Sequence, residues 1–172
     1  LFPISSKYNC WRELAGAFFC VEGDTQAVEV FVPLLRGLGL QVQTISPESK
    51  AQYHLSCALA SNFVCALVQR SAELLSGCGF SKTDALHALA PLMRSNLAHV
   101  IEHGAVSALT GPIERGDTQT VQKHLSCLTE RDDRQLYALL GLEQVKMAQE
   151  KHPEQDYGTL AALLNREKEQ NE

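Results

Sequence analysis

Apolar residues change their spacing along the chain, and the changes mark out its elements. Ala17-Phe-Phe-Cys-Val21 is a short continuous apolar run that stops at Glu22-Gly23-Asp24, which predicts a strand entering a turn. Asp24 is placed to cap a helix carrying Ala27, Val28, Val30, Phe31, Leu34 and Leu35, and Gly37 and Gly39 end it. Leu40 to Ile45 then alternates apolar and polar, the period of a half-buried strand. Everything after this lead-in reads as helical. Ser49 to Ser76 has apolar residues on nearly every face (among them Leu55, Leu59, Phe63, Val64, Leu67 and Leu74), which predicts one long central buried helix, stopped by Gly77-Cys-Gly79. Ser81, three residues before Asp84, opens a helix bearing Ala85, Leu86, Leu89, Leu92, Met93, Leu97 and Val100, closed by Gly104. Leu109 to Asp117 is a loop by its Gly and Pro content. Asp117 caps a helix of Val121, Leu125 and Leu128, Arg134 to Gln149 is another, and Thr159 to Asn165 a short last one. The fold class is therefore mostly α with a small α/β N-terminal portion. The lead-in occupies residues 1–47 of a helical domain running to 157, and a short helix with a polar tail fills 158–172.

Composition narrows the function classes. The 172 residues are 45% hydrophobic and 20% charged, enough apolar material for a core and a size suited to one domain with a short extension. Fifteen Lys and Arg against twenty Asp and Glu leave a net charge of −5, without the basic footprint that nucleic acid or an anionic membrane surface calls for. The longest unbroken apolar stretch, Leu14 to Val21, is about eight residues, far short of a membrane span, and no charged segment marks a signal peptide before it. No nucleic acid and no membrane partner is expected. The opening Leu1-Phe2-Pro3 lacks a methionine, as in a processed, trimmed or excised piece. Six cysteines (10, 20, 57, 65, 78, 127) form no CxxC pair, and Cys57 and Cys65 sit in the apolar helix. They read as reduced, buried thiols in a cytoplasmic protein.

Three constellations could carry chemistry. Ser61 and Cys65 fall about 20° to either side of His54 on a helix, with Asn62 about 80° away. Such a polar stripe in an apolar helix is either satisfied by helix-to-helix hydrogen bonds or lines a substrate pocket with His54 as proton donor or acceptor. Thr110-Gly-Pro112 with Arg115-Gly-Asp117 combines flexible glycines, a cation and a helix start, which suits an anionic ligand; a structural turn fits equally well, because Asp117 puts a carboxylate where the anion would sit. His99-Val-Ile-Glu-His103 matches H-x-x-E-H, with both imidazoles on one face as zinc requires, but Gly104 ends the helix at once and no third ligand is identifiable. Gly37-Leu-Gly39 is no dinucleotide fingerprint, since Val42 stands at the third glycine position and the run precedes a strand.

Phe19-Cys-Val-Glu-Gly-Asp24, Leu38-Gly39, Tyr53-His54, Ala60-Ser-Asn-Phe63, Ala90-Pro-Leu92, Ala108-Leu-Thr-Gly-Pro-Ile-Glu-Arg-Gly-Asp117, His124-Leu125 and Leu136-Tyr137 occur in that order. Together they resemble the C-terminal domain (DUF2520-type, long catalogued as of unknown function) of Rossmann-like NAD(P)-dependent oxidoreductases. The resemblance implies a helical domain like that of 6-phosphogluconate dehydrogenase, with ketopantoate and pyrroline-5-carboxylate reductases as further relatives. It also implies a preceding nucleotide-binding domain that these residues lack, so NAD or NADP would be bound in the intact protein mainly by that domain. A homodimer, a small-molecule substrate and a helical domain closing over the nicotinamide follow in the same way. On this resemblance His54 is the candidate acid/base, Ser61 and Asn62 orient a carbonyl, imine or hydroxyl group, and Thr110 and Arg115 shape the rim of the cleft. Two positions depart from the relatives: Ala58 stands where characterised members carry a lysine, and Phe2-Pro3 replaces a common His-Pro. The implied function is the substrate-binding and dimerisation domain of an oxidoreductase, inactive without its Rossmann domain. The alternative is a non-catalytic dimerisation or ligand-sensing module that keeps the fold.

Overall fold

The computed structural model describes residues 17–169. The readings placed on Phe2-Pro3, on Cys10 and on the last tail residues lie outside them. The chain falls into two compact units, divided between Leu86 and His87. It is mostly helical, with one small two-stranded sheet.

The first unit begins with β1 (Phe18–Val21), α1 (Thr25–Gly37) and β2 (Gln41–Thr44). The strands pair in parallel, from Phe18 opposite Gln41 to Val21 opposite Thr44, and α1 is the crossover that parallel pairing demands. Ala17, Val32 and Val42 are the buried residues of this lead-in. The Arg36 guanidinium donates to the Val42 carbonyl at 3.1 Å, tying the end of α1 to β2. Asp24 holds the N-cap position, yet its side chain makes no capping bond.

A 3₁₀ turn at Pro47–Ser49 leads into α2 (Lys50–Ala60) and α3 (Asn62–Gly77). The single long buried helix expected over Ser49–Ser76 is thus two helices, and no residue of either is buried. The break has a local cause. Ser61 leaves the helical region at φ −126°, ψ −67°, and its hydroxyl lies 2.8 Å from both the Cys57 carbonyl and Asn62 Oδ1. A serine hydroxyl bonding back to the carbonyl four residues earlier competes with the helix ladder and bends it. The exposure has a different cause: one crossover helix and two strands are too little material to cover helices apolar on every side. Leu55, Leu59, Phe63, Val64 and Leu74 stay open to solvent. Pro47–Gly77 together runs for 31 residues at a mean hydropathy of 1.2 in its most apolar window, long and apolar enough by length and composition to cross a membrane. Counting unbroken apolar runs misses this, because isolated polar residues interrupt every run.

The division between the units falls within α4 (Lys82–His103). Its start carries the expected Ser81 cap: the Asp84 N–H donates to Ser81 Oγ at 3.1 Å, and that hydroxyl donates to Asp84 Oδ2 at 2.7 Å.

The second unit contains a single helical turn α5 (Ala105–Ala108), then α6 (Thr118–Cys127), α7 (Arg131–Lys151) and α8 (Gly158–Glu169). Here lies the principal core among the described residues: Ile113, Val121, Leu125, Ala138, Ala148, Tyr157, Leu160, Leu163 and Leu164. The short last helix expected from Thr159 to Asn165 is longer, and Leu160 and Leu164 are among the largest fully buried side chains. Burying each such leucine contributes roughly 1.5–3 kcal/mol. Gly141 lets α7 approach α8: a Cβ there would lie 3.1 Å from both Leu164 methyls and 3.2 Å from Ile113 Cδ1. Arg134 fastens the arrangement. Its Nε and Nη2 donate to Glu167 Oε2 at 2.8 and 2.7 Å, and its Nη1 donates to the Leu125 carbonyl at 2.7 Å, which also accepts from the Leu128 N–H that closes α6.

Two stability predictions follow from these contacts. Gly141→Val should cost about 1–3 kcal/mol by overpacking, read as a lower urea midpoint at unchanged slope. Arg134→Leu strands the Glu167 carboxylate, which is only 9% exposed, and should cost about 3 kcal/mol. Adding Glu167→Leu should restore part of that loss; a double variant less stable than the single would refute the ion-pair account.

Candidate functional site

In parallel sheets, ligand sites form beyond the carboxyl ends of the strands, where loops rather than helices line the surface. In this chain that place follows Val21. Glu22 is the first residue past β1, and Glu22 Oε1 pairs with Lys50 Nζ at the start of α2. Its other oxygen, Oε2, is buried and is the one side-chain polar atom so placed among the described residues to lack a hydrogen-bond partner. A buried carboxylate oxygen without a donor is costly, so this position favours a ligand that brings one. Lys50, His54 and Ser61 fall within about 40° of one another around the helix axis, forming a polar edge that starts at this ion pair.

Tyr53 lies one turn before Cys57 on α2, and the Cys57 and Cys20 thiols neighbour its hydroxyl. Burial pushes the Tyr53 hydroxyl above its usual range, and the flanking Cys20 and Cys57 thiols push it further. Tyr53 therefore stays a neutral hydrogen-bonding group. His54 is exposed and has no hydrogen-bond partner among the described residues. The hydrogen bonds of Ser61 are local, to Cys57 and Asn62, rather than helix-to-helix. The Ser61 hydroxyl has one proton to share between the Cys57 carbonyl and Asn62 Oδ1, and neither contact uses the Asn62 N–H₂. Cys65 lies apart, in a groove of about 450 Å³ along α3 and the start of α4, lined also by Val68, Gln69, Glu73 and Lys82. The reading of the cysteines as buried is corrected: Cys65, Cys78 and Cys127 are exposed, Cys20 and Cys57 half-buried, and all five are free. Short runs of helix and strand contain too little covering chain to bury them.

Thr110 and Arg115 belong to the other unit, both exposed. Their segment is a compact turn whose N–H groups are spent internally: Arg115 donates to the Gly111 carbonyl, Gly116 to Ile113 and Asp117 to Pro112. Asp117 caps α6 as expected, accepting from the Thr120 N–H at 3.0 Å and its hydroxyl at 2.6 Å. These bonds, aided by the Arg115 charge, hold its carboxyl below the usual range. Gly116, at φ +70°, has Gln155 Nε2 only 2.8 Å from where a Cβ would stand. The geometry is that of a structural turn. Glu114 anchors it: Glu114 Oε1 accepts from His152 Nε2 at 2.7 Å, with Lys151 Nζ at 3.5 Å, while the Tyr157 hydroxyl donates to the Glu114 carbonyl at 2.6 Å. His99 and His103 share a face with ring centroids 4.5 Å apart, and no group of three or more potential metal ligands forms among the described residues.

Sequence reasoning missed Glu22 and Lys50. Glu22 reads as a turn residue, and Lys50 is not singled out. The available signal was positional: an acid directly after a predicted strand, and a lysine one helical turn before His54.

A family model described as a domain of unknown function (DUF2520) matches residues 17–144, and the chain belongs to that family. No curated protein and no solved structure matches it.

The anchor of the turn sets an acid response. The hydrogen bond from His152, reinforced by the Lys151 charge, holds the Glu114 carboxyl below its ordinary value of 4.5. A depressed acid stabilises the fold above that unfolded value, and the stabilisation is lost as pH falls through the lower folded value. Glu114→Gln should therefore lower the urea midpoint at pH 7 and approach wild-type behaviour in more acid solution. An offset constant with pH would contradict this.

Proposed function

We propose that this chain is the substrate-binding and dimerisation part of an NAD(P)-dependent oxidoreductase acting on a small carbonyl, imine or hydroxyl compound, inactive without a nucleotide-binding domain. The observation that carries the reading is the Glu22–Lys50 pair at the carboxyl end of a parallel β-α-β unit, with one carboxylate oxygen buried and unpartnered. A pair of parallel strands rarely stands alone, because sheets of this kind are covered on both faces. Phe18, Val30, Phe31 and Leu34 remain exposed on this unit, which fits docking against a larger layer such as a nucleotide-binding sheet.

The chain's own groups have distinct tasks in this reading. Asn62, oriented by Ser61, donates to a substrate oxygen or nitrogen. His54, open to solvent and two turns nearer the head of α2, is the group that gives or takes a proton. Lys50 supplies positive charge near the head of α2, in place of the lysine replaced by Ala58, and Glu22 Oε2 accepts from a substrate N–H or O–H. NAD or NADP, when bound, supplies or accepts the hydride. With no dinucleotide fingerprint here, its hold is assigned to the nucleotide-binding domain. The Arg115 backbone helps hold its turn, donating to the Gly111 carbonyl and accepting from Gln155 Nε2. The exposed leucines and Phe63 of α2 and α3 support a homodimer in which a second copy covers them, and the free thiols suit a reducing cytoplasm.

NADPH fluorescence titration of the full gene product beside this 172-residue chain tests the reading. Saturable binding by the full product alone is expected. Turnover against small keto acids and imines should then fall about 10²–10⁴-fold in His54→Ala. Binding by neither species would sink the oxidoreductase reading and leave a non-catalytic dimerisation or sensing module.

A further inference from the structure

The second unit holds a cleft of about 270 Å³ that the proposed function does not use. Pro112 and Ile113 of the turn and Leu140 and Gly141 of α7 form its apolar floor, and His124, Tyr137 and Gln144 supply its polar groups. Tyr137, Leu140, Gly141 and Gln144 are spaced i, i+3, i+4, i+7, so α7 presents them as one stripe. His124, in the last turn of α6, faces that stripe: its Nδ1 is 2.9 Å from Tyr137 Oη, and the rings stand nearly perpendicular with centroids 5.9 Å apart. The contact holds both rings in place and leaves His124 Nε2 and the remaining valence of the phenol oxygen unspent. Burial raises Tyr137, so its hydroxyl stays neutral. The Gln144 amide has no hydrogen-bond partner among the described residues.

The lining selects a ligand class. It contains no Asp, Glu, Lys or Arg, so a charged ligand would lose hydration over an apolar floor without a fixed counter-charge. The His124–Tyr137 pair offers one donor and one acceptor in either tautomer, and the Gln144 amide offers both, which suits a ligand bearing a donor and an acceptor side by side. The volume lies below the usual range for drug-sized ligands and suits a single ring. We propose that this cleft binds a small uncharged ring compound of the cyclic-amide class, its ring on Ile113 and Leu140 and its amide between Tyr137 and Gln144. The site lies in the other unit from His54 and stands independently of the oxidoreductase reading.

A ¹H–¹⁵N NMR titration of the chain with 2-pyridone tests this, with benzoate and benzylamine as anionic and cationic comparators of similar size. Saturable shifts at Ile113, His124, Tyr137 and Gln144 are expected, with binding at least about tenfold weaker for both charged rings. Tyr137→Phe and Gln144→Leu should each weaken 2-pyridone binding about fivefold to tenfold. Tyr137 also ties α7 to α6, so Gln144→Leu, whose amide touches no partner, decides the matter if Tyr137→Phe disturbs the fold. Absence of saturable shifts at millimolar 2-pyridone, equal binding of a charged comparator, or wild-type affinity in Gln144→Leu would each overturn the proposal.

Discussion

The close contact of α7 with α8, where Gly141 lets the Leu164 methyls reach the α7 backbone, is the constraint on which the second unit rests. It brings Leu160, Leu163 and Leu164 into one layer with Val121 and Leu125 of α6, and it places Ile113 of the preceding turn against the same surface. Arg134 then joins three helices with one guanidinium, satisfying the buried Glu167 and an end carbonyl of α6 at once. The turn from Gly111 to Asp117 inherits its position from this frame through Glu114, His152 and Tyr157. The cleft beside Tyr137 exists because that turn is held over α7. Part of the frame lies beyond the family match, which ends at residue 144, whereas α8 starts at Gly158.

The first unit is governed by the opposite condition. Its parallel strand pair and one crossover helix cannot cover α2 and α3, so apolar residues that would be core in a larger body remain on the surface. Polar groups run along α2 from where β1 ends: Glu22 with Lys50, then Tyr53 and His54, and the Ser61–Asn62 junction about 16 Å beyond Lys50. Exposed apolar faces stand beside these polar groups, and the proposed docking of further chain rests on them.

Much of the secondary structure was legible in sequence because its signals are local. The strand read in Ala17–Val21, the alternating strand read in Leu40–Ile45, the Ser81 cap and the Asp117 cap each depend on residues within a few positions. The structure contains all four, the first strand one residue shorter at its start and the second one residue shorter at each end. Asp24 reached the cap position without making the cap bond, since position is set by the local pattern but a side-chain rotamer answers to its wider surroundings. The candidate site was only partly legible. The face shared by His54 and Ser61 is a matter of helical spacing, whereas the Glu22–Lys50 pair joins residues 28 positions apart.

By itself, then, the order of residues determined the helical class, the parallel-capable lead-in and the turn between Ala108 and Asp117, because propensity, capping and glycine placement act over one or two turns of chain. Only the tertiary structure decided which apolar segment became core. Ser49–Ser76 is the more apolar and α8 the more polar, yet α8 buries Leu160, Leu163, Leu164 and Glu167 while α2 and α3 bury no residue. Burial depends on the area a neighbour offers, and α7 offers α8 a glycine-lined surface that no element of the first unit offers α2 or α3.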